Sequence, residues 1–136
     1  MRRYLLDTNA LGNFVAARRG IRVRARAVRA TGGKLGTCFP ALAEIYYGLE
    51  LSSTRAYNLG LLRAELGQLT LWPFDHAAAR EYGRVLAELD RIGRPMQDIA
   101  VMIAAVALAL GNCTVVTTDS DLSAVPGLSV ENWATP

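Results

Sequence analysis

Hydrophobic positions along the chain alternate between short runs that suit buried strands and three-to-four spacings that suit helices. Tyr4-Leu5-Leu6 reads as a buried strand ending at Asp7, after which Thr8 or Asn9 is placed to cap a helix to about Ala17. A second helix covers about Ile21 to Ala30 and stops at Gly32-Gly33, and Leu35 to Phe39 reads as the next strand. Pro40 suits the first turn of a helix that carries Leu42, Glu44, Ile45, Tyr46, Tyr47 and Leu49, and another helix fills Thr54 to Leu66. Leu69 to Trp72 is strand-like and closed by Pro73. Asp75 opens a long amphipathic helix to about Ile92, and Gly93-Arg94-Pro95 breaks the chain before a nearly all-apolar helix from Gln97 to Leu110. Thr114 to Thr117 is β-branched throughout, and Leu128-Ser129-Val130 supplies a last edge strand. Strands separated by helices predict an α/β fold: a parallel sheet covered on both faces, with any site at the carboxyl ends of its strands. No repeat or linker interrupts the pattern, so residues 1–136 are expected to form one domain.

Composition agrees with that picture. A chain of 136 residues, 51% hydrophobic and 20% charged, can bury a core without staples. The longest apolar run, Ile99 to Leu110, is too short to span a bilayer, and the first residues meet Asp7 before a signal-peptide core can form. The expectation is a soluble cytoplasmic protein. Cys38 and Cys113 both fall in apolar strand-like segments and read as reduced core thiols. The net charge of +3 comes almost entirely from arginine, Lys34 being the only lysine. Arginine's planar fork matches phosphate, which is compatible with a nucleic-acid partner, although a GC-rich genome gives the same bias.

The informative feature is where the carboxylates fall. Asp7 and Asp119 each follow a hydrophobic strand, the place where an open parallel sheet puts its ligand site. Glu44 has Ala41, Gly48 and Leu51 on its helical face, and Asp98 sits in the first turn of the most apolar helix. Each acid has an ordinary explanation: Asp7 and Asp119 as helix caps, Asp98 as a partner of its own helix dipole, Glu44 as one half of an ion pair with an arginine. Four acids at one end of one sheet would repel one another unless a cation sits among them. Hard divalent cations choose oxygen, so Mg²⁺ or Mn²⁺ is expected; no His/Cys set exists for zinc, and the single histidine, His76, reads as a surface residue at a helix start.

Leu5-Leu6-Asp7-Thr8-Asn9, Ala43-Glu44-Ile45-Tyr46-Tyr47-Gly48, Asp98-Ile99-Ala100 and Thr117-Thr118-Asp119 resemble, in order and spacing, the four motifs of PIN-domain proteins, nearest to the VapC-type toxins of bacterial toxin–antitoxin pairs. The resemblance extends to the ending Gly127 to Trp133. It implies a roughly five-stranded parallel sheet, a homodimer, Mg²⁺ or Mn²⁺ held by Asp7, Glu44, Asp98 and Asp119, endonuclease action on RNA, and a cognate antitoxin that blocks the acidic pocket. It also implies Thr8, Asn9 and Thr118 as supporting or substrate-orienting groups, with Asp121 either assisting or capping a turn.

Substrate needs positive charge beside such a pocket. Arg18, Arg22, Arg26 and Arg29 fall on one stripe if the second helix is continuous from Arg18, opposite Ile21, Ala25 and Val28; that stripe suits RNA phosphates, a solvated face or an acidic partner peptide. Tyr46 and Tyr47 are read as core and subunit contacts, and Trp72 and Trp133 as packing residues. Competing readings weaken on particular residues. A haloacid-dehalogenase-type phosphatase wants a second aspartate where Asn9 stands, and a receiver domain wants a lysine after a late strand, where Lys34 cannot serve. Flap-type DNA nucleases of similar fold use longer chains, and a purely regulatory module would use the same acids to accept a partner's arginines.

Overall fold

The computed structural model describes all 136 residues. Its strands are β1 (Arg3–Leu6), β2 (Lys34–Cys38), β3 (Thr70–Trp72), β4 (Cys113–Val116) and β5 (Ser129–Glu131). Six α-helices join them: α1 (Thr8–Val15), α2 (Ile21–Ala30), α3 (Phe39–Leu51), α4 (Arg55–Leu66), α5 (His76–Arg91) and α6 (Asp98–Leu110). A 3₁₀ turn over Ser120–Ala124 links β4 to β5. The sheet is wholly parallel and ordered β3-β2-β1-β4-β5. The chain starts in the middle, builds outward through β2 and β3, then crosses back to lay β4 against the other side of β1. Strand order therefore reverses between β1 and β4, and a crevice opens there at the carboxyl edge.

Alternation along the two central strands divides the core. Leu5 and Val115 face one layer with Val85, Leu89, Val101 and Ile103 of α5 and α6. Leu6 and Val116 face the other, with Leu11, Phe14, Ile21, Leu62 and Trp133. Both faces of the sheet are thus covered, as the pattern of strands and helices requires. Trp72 and Trp133 are buried, and Cys38 and Cys113 are buried free thiols. Gly36 of β2 is dictated by close approach: a Cβ there would stand 2.4 Å from the Thr70 carbonyl oxygen and 2.8 Å from the Trp72 ring.

Three local expectations change. The cap of α1 is Asp7 itself, not Thr8 or Asn9: its carboxylate accepts from the Ala10 N–H at 2.9 Å. Phe39 starts α3 instead of ending β2, because Pro40 already suits the first turn and pulls its neighbour in. Tyr46 and Tyr47 are not core; both are exposed, Tyr47 by 68%, on the outer side of α3. No helix is long and apolar enough to cross a membrane.

Candidate active site

Asp7 extends the β1–β4 ladder by one residue, its N–H donating to the Val116 carbonyl at 3.1 Å, so its side chain emerges in the crevice where strand order reverses. It is only 7% exposed. Burial pushes its carboxyl above the usual carboxylate range; the Thr117 hydroxyl and the Ala10 N–H pull it back, and the nearby Asp119 and Glu44 carboxylates push it up again. Asp7, Glu44 and Asp119 are thus electrostatic neighbours although they come from β1, α3 and the segment after β4.

Thr117 ties this group together. Buried at the end of β4, it lies beside the Asp7 carboxylate, whose charged form it favours, while its oxygen accepts from the Asp119 N–H at 2.9 Å. One hydroxyl therefore stands between two acids. Asp119 in turn accepts from the Asp121 N–H at 2.9 Å and caps the 3₁₀ turn. Across the crevice, the Thr8 hydroxyl donates to the half-buried Glu44 carboxylate.

None of Asp7, Glu44, Asp98 or Asp119 forms a salt bridge. The chain's arginines pair instead with Glu50, Glu65, Glu81, Glu88, Asp121 and Glu131. Glu44 is held by a hydroxyl, so the ion-pair explanation for it fails. Asp98 begins α6, whose N-terminus reaches the same sheet edge, but its carboxylate is exposed and is not among the acids that act on Asp7. It lies instead beside Tyr82 of α5, whose phenol is raised by partial burial and by that neighbouring charge. The four acids do not close into a cage: no three of the chain's His, Cys, Asp and Glu side chains converge on one metal-sized point. Asp98, at the rim, is exposed to solvent.

The supporting residues divide. Thr8, Asn9 and Thr118 line a groove that begins at Glu44, whereas Asp121 turns outward, 3.8 Å from Arg94. Thr117 and Tyr82 carry the geometry yet were not singled out from sequence. For Thr117 the signal was its place as the last β-branched residue before an acid. For Tyr82 there was none, since its pairing with Asp98 is tertiary.

The arginine stripe breaks. Gly20, with φ of +72°, caps α2, so Arg18 and Arg19 belong to the preceding turn and not to the helix. Arg22 donates to the Phe14 and Val15 carbonyls at 2.7 and 2.9 Å and pairs with Glu65 at 3.1 Å, which closes the end of α1. Arg29 donates to the Gln68 carbonyl, and only Arg26 of the helical three has no such partner.

Residues 4–128 match the PIN domain family. The tRNA(fMet)-specific endonuclease VapC of Shigella flexneri is 31% identical over 134 residues, covering 98% of this chain and 100% of that protein. Among solved structures, VapBC2 of Rickettsia felis bound to a promoter DNA fragment superposes with a TM-score of 0.89 at 26% identity, over 96% of this chain and 98% of that one. VapBC-5 of Mycobacterium tuberculosis, a member of the VapBC family of toxin–antitoxin systems, gives 0.63 at 31% identity over 74% and 82%.

Proposed function

The chain belongs to the PIN-domain family, and we propose that it is an endoribonuclease toxin of the VapC kind, acting on RNA in the cytoplasm and held in check by a cognate antitoxin. The observation that carries this reading is the group of Asp7, Glu44 and Asp119 at the reversal of strand order, free of any salt bridge to arginine or lysine. Relatives named as VapC endonucleases and VapBC complexes support both the activity and the antitoxin.

The donor set suits Mg²⁺ or Mn²⁺. All four acids offer hard oxygen ligands, and Asp7 is a buried carboxylate pushed toward its neutral form by burial and like charges, a cost that a cation removes. Mg²⁺ keeps several waters and is commonly held by one or two carboxylates together with substrate phosphate. Asp7 and Asp119 would be the main ligands of such a cation, Asp98 would join from the rim, and Glu44 would bridge or orient water. When bound, such a cation supplies charge stabilisation and activation of water for phosphodiester hydrolysis. The chain's own part is to fix the acids: the Ala10 N–H holds Asp7, the Thr117 oxygen holds the Asp119 backbone, and Thr8 holds Glu44. No Ser/His/Asp or Cys/His set is available for covalent catalysis, and the attacking group would be water.

A homodimer is part of the same proposal. Tyr47 and Leu51, four residues apart on α3, and Tyr57 of α4 are each about 70% exposed, and large exposed apolar side chains of this kind suit a subunit contact.

The test is cleavage of a mixed cellular RNA pool by antitoxin-free protein with Mg²⁺, with Mn²⁺ and with EDTA, beside Asp98→Asn. Discrete metal-dependent cuts lost in the variant are expected. No cuts under either metal would move the protein to a binding module whose acids serve its partner.

A further inference from the structure

Arg94 stands at the rim of the acidic group, between the two segments that deliver Asp98 and Asp119. It lies on the connection from α5 to α6, just ahead of Asp98, and its guanidinium reaches Asp121 Oδ1 at 3.8 Å on the 3₁₀ turn that Asp119 caps. Asp121 is bound to Asp119 in turn, donating its N–H to that carboxylate at 2.9 Å. We propose that Arg94 is a substrate contact held in reserve: Asp121 parks its guanidinium in the RNA-free protein, and the non-bridging oxygens of an RNA phosphate entering the site take it over. The inference rests on the ribonuclease reading and adds to it one residue that grips the substrate and one that competes for the grip.

The backbone that carries Arg94 is fixed. Gly93, with φ of +68°, ends α5 in the left-handed conformation; its N–H donates to the Asp90 carbonyl at 3.1 Å, and the Arg94 N–H donates to the Leu89 carbonyl at 2.9 Å. Pro95 then restricts the conformation of Arg94 itself, and Met96 packs against the core shared with α5 and α6. The connection is thus closed by its own backbone and by packing. What the ion pair holds is the side chain.

It holds that side chain loosely. The other five ion pairs close at 2.6 to 3.6 Å. At 3.8 Å no hydrogen bond joins Arg94 to Asp121, both side chains are exposed, and neither has another partner. An exposed pair of this kind contributes little. A phosphate offers the planar guanidinium two oxygens in fork geometry, which makes a charge-assisted contact stronger than the one it replaces.

The site needs such a group. Asp7, Glu44, Asp98 and Asp119 have no arginine of their own, so a phosphodiester that approaches them meets like charge. Of the paired arginines, only Arg94 is joined to an acid that adjoins this group. Arg94 and Asp121 lie outside the lining of the groove that begins at Glu44, so the contact is separate from it.

The test is fluorescence anisotropy with a labelled single-stranded RNA dodecanucleotide of mixed sequence, on Asp7→Asn protein with Mg²⁺ so that the probe stays intact. Adding Arg94→Ala is expected to weaken binding at least about fivefold and to flatten the log–log salt dependence by about 0.7, the share of one phosphate contact on a single strand. Adding Asp121→Asn is expected to act in the opposite direction. If the pair occupies Arg94 about half of the time, its removal tightens binding about twofold, and the gain disappears when Arg94→Ala is also present. Arg94→Lys should keep the salt slope and recover only part of the affinity. Thermal midpoints should stay together throughout. Arg94→Ala and Asp121→Asn weakening binding alike, or lowering the midpoint alike, would show a latch between two loops and overturn the proposal. So would a gain in Asp121→Asn that survives Arg94→Ala, which is charge removal alone. Unchanged affinity and slope in Arg94→Ala, with metal-dependent cuts of cellular RNA by the parent chain, refutes the Arg94 contact alone. A parent chain that neither cuts nor binds RNA removes the ribonuclease reading and this contact with it.

Discussion

Replacing Thr117 with valine keeps shape and burial at the end of β4 but deletes the hydroxyl that serves two acids. In the native chain that hydroxyl lies beside Asp7, whose charged form it favours, and accepts from the Asp119 N–H. The bond to the Asp119 N–H contributes about 0.5–1.5 kcal/mol, and the hydroxyl's support of the Asp7 charge adds to it, so Thr117→Val should cost about 1–3 kcal/mol in EDTA at neutral pH. A small domain with a stability of about 5–15 kcal/mol survives that. The loss depends on pH. Burial already holds Asp7 above its unfolded value, and Thr117 lowers it; valine therefore raises it further. For a carboxyl whose folded value is raised, the penalty is absent under acid conditions, where both states are protonated, and develops as pH climbs from the unfolded value through the folded one. Valine enlarges that penalty and moves its completion to higher pH. Urea unfolding in EDTA at about pH 4 and about pH 8 measures it, with the wild-type-to-variant gap expected to widen by about 1 kcal/mol or more at the higher pH. A gap equal at both pH values, or below about 0.5 kcal/mol throughout, would refute the placement of the hydroxyl between the two acids.

Three further outcomes follow from the same contacts. Asp7→Asn keeps an oxygen for the Ala10 N–H but removes the charge, so cleavage should fall at least about a hundredfold while the thermal midpoint in EDTA rises; wild-type cleavage by this folded variant would remove Asp7 from the site. Added Mg²⁺ should raise the wild-type midpoint more than that of Asp7→Asn. Gly36→Ala forces a Cβ against the Thr70 carbonyl and the Trp72 ring and should cost about 1–3 kcal/mol in urea unfolding; an unchanged midpoint would show that β2 and β3 part freely. Burial pushes the Cys38 and Cys113 thiols up to about 12, so iodoacetamide should leave both intact in the native protein at mildly alkaline pH and label both once urea unfolds it.

The sheet was readable because each strand is a short apolar or β-branched run bounded by a residue that cannot continue it: Asp7 after β1, Pro40 beyond β2, Pro73 after β3. The acids were readable for the related reason that a charge directly after a buried strand has few places to go. What stayed hidden depends on the third dimension. That Tyr82 lies against Asp98 follows from how α5 packs on α6, and no spacing along the chain encodes it. The arginine stripe failed on a backbone event. A helical wheel assumes continuity through Arg18, Arg19 and Gly20, whereas positive φ at Arg19 and Gly20 starts the helix afresh at Ile21. Tyr46 and Tyr47 misled because hydrophobicity alone does not say whether a side chain fills this chain's core or faces outward.

The choice between cap and ligand, posed by sequence for Asp7 and Asp119, dissolves in the structure. Each spends a carboxylate oxygen on a backbone N–H, Asp7 on Ala10 and Asp119 on Asp121, and each thereby fixes its own rotamer. A capping bond to a single oxygen leaves the remaining lone pairs for a cation, and the helix start behind it adds a positive end that makes a buried negative charge tolerable. Capping is therefore how the acid is positioned without an arginine, and on the proposed reading a guanidinium on Asp7 would occupy the place of the metal. Of the six acids that do pair with arginine, only Asp121 adjoins the group, and its carboxylate turns outward to Arg94. By this logic the informative signature in such a sheet is an acid after a strand that caps the next helix while its oxygens stay free of cationic side chains, and Asp7 and Asp119 both meet it.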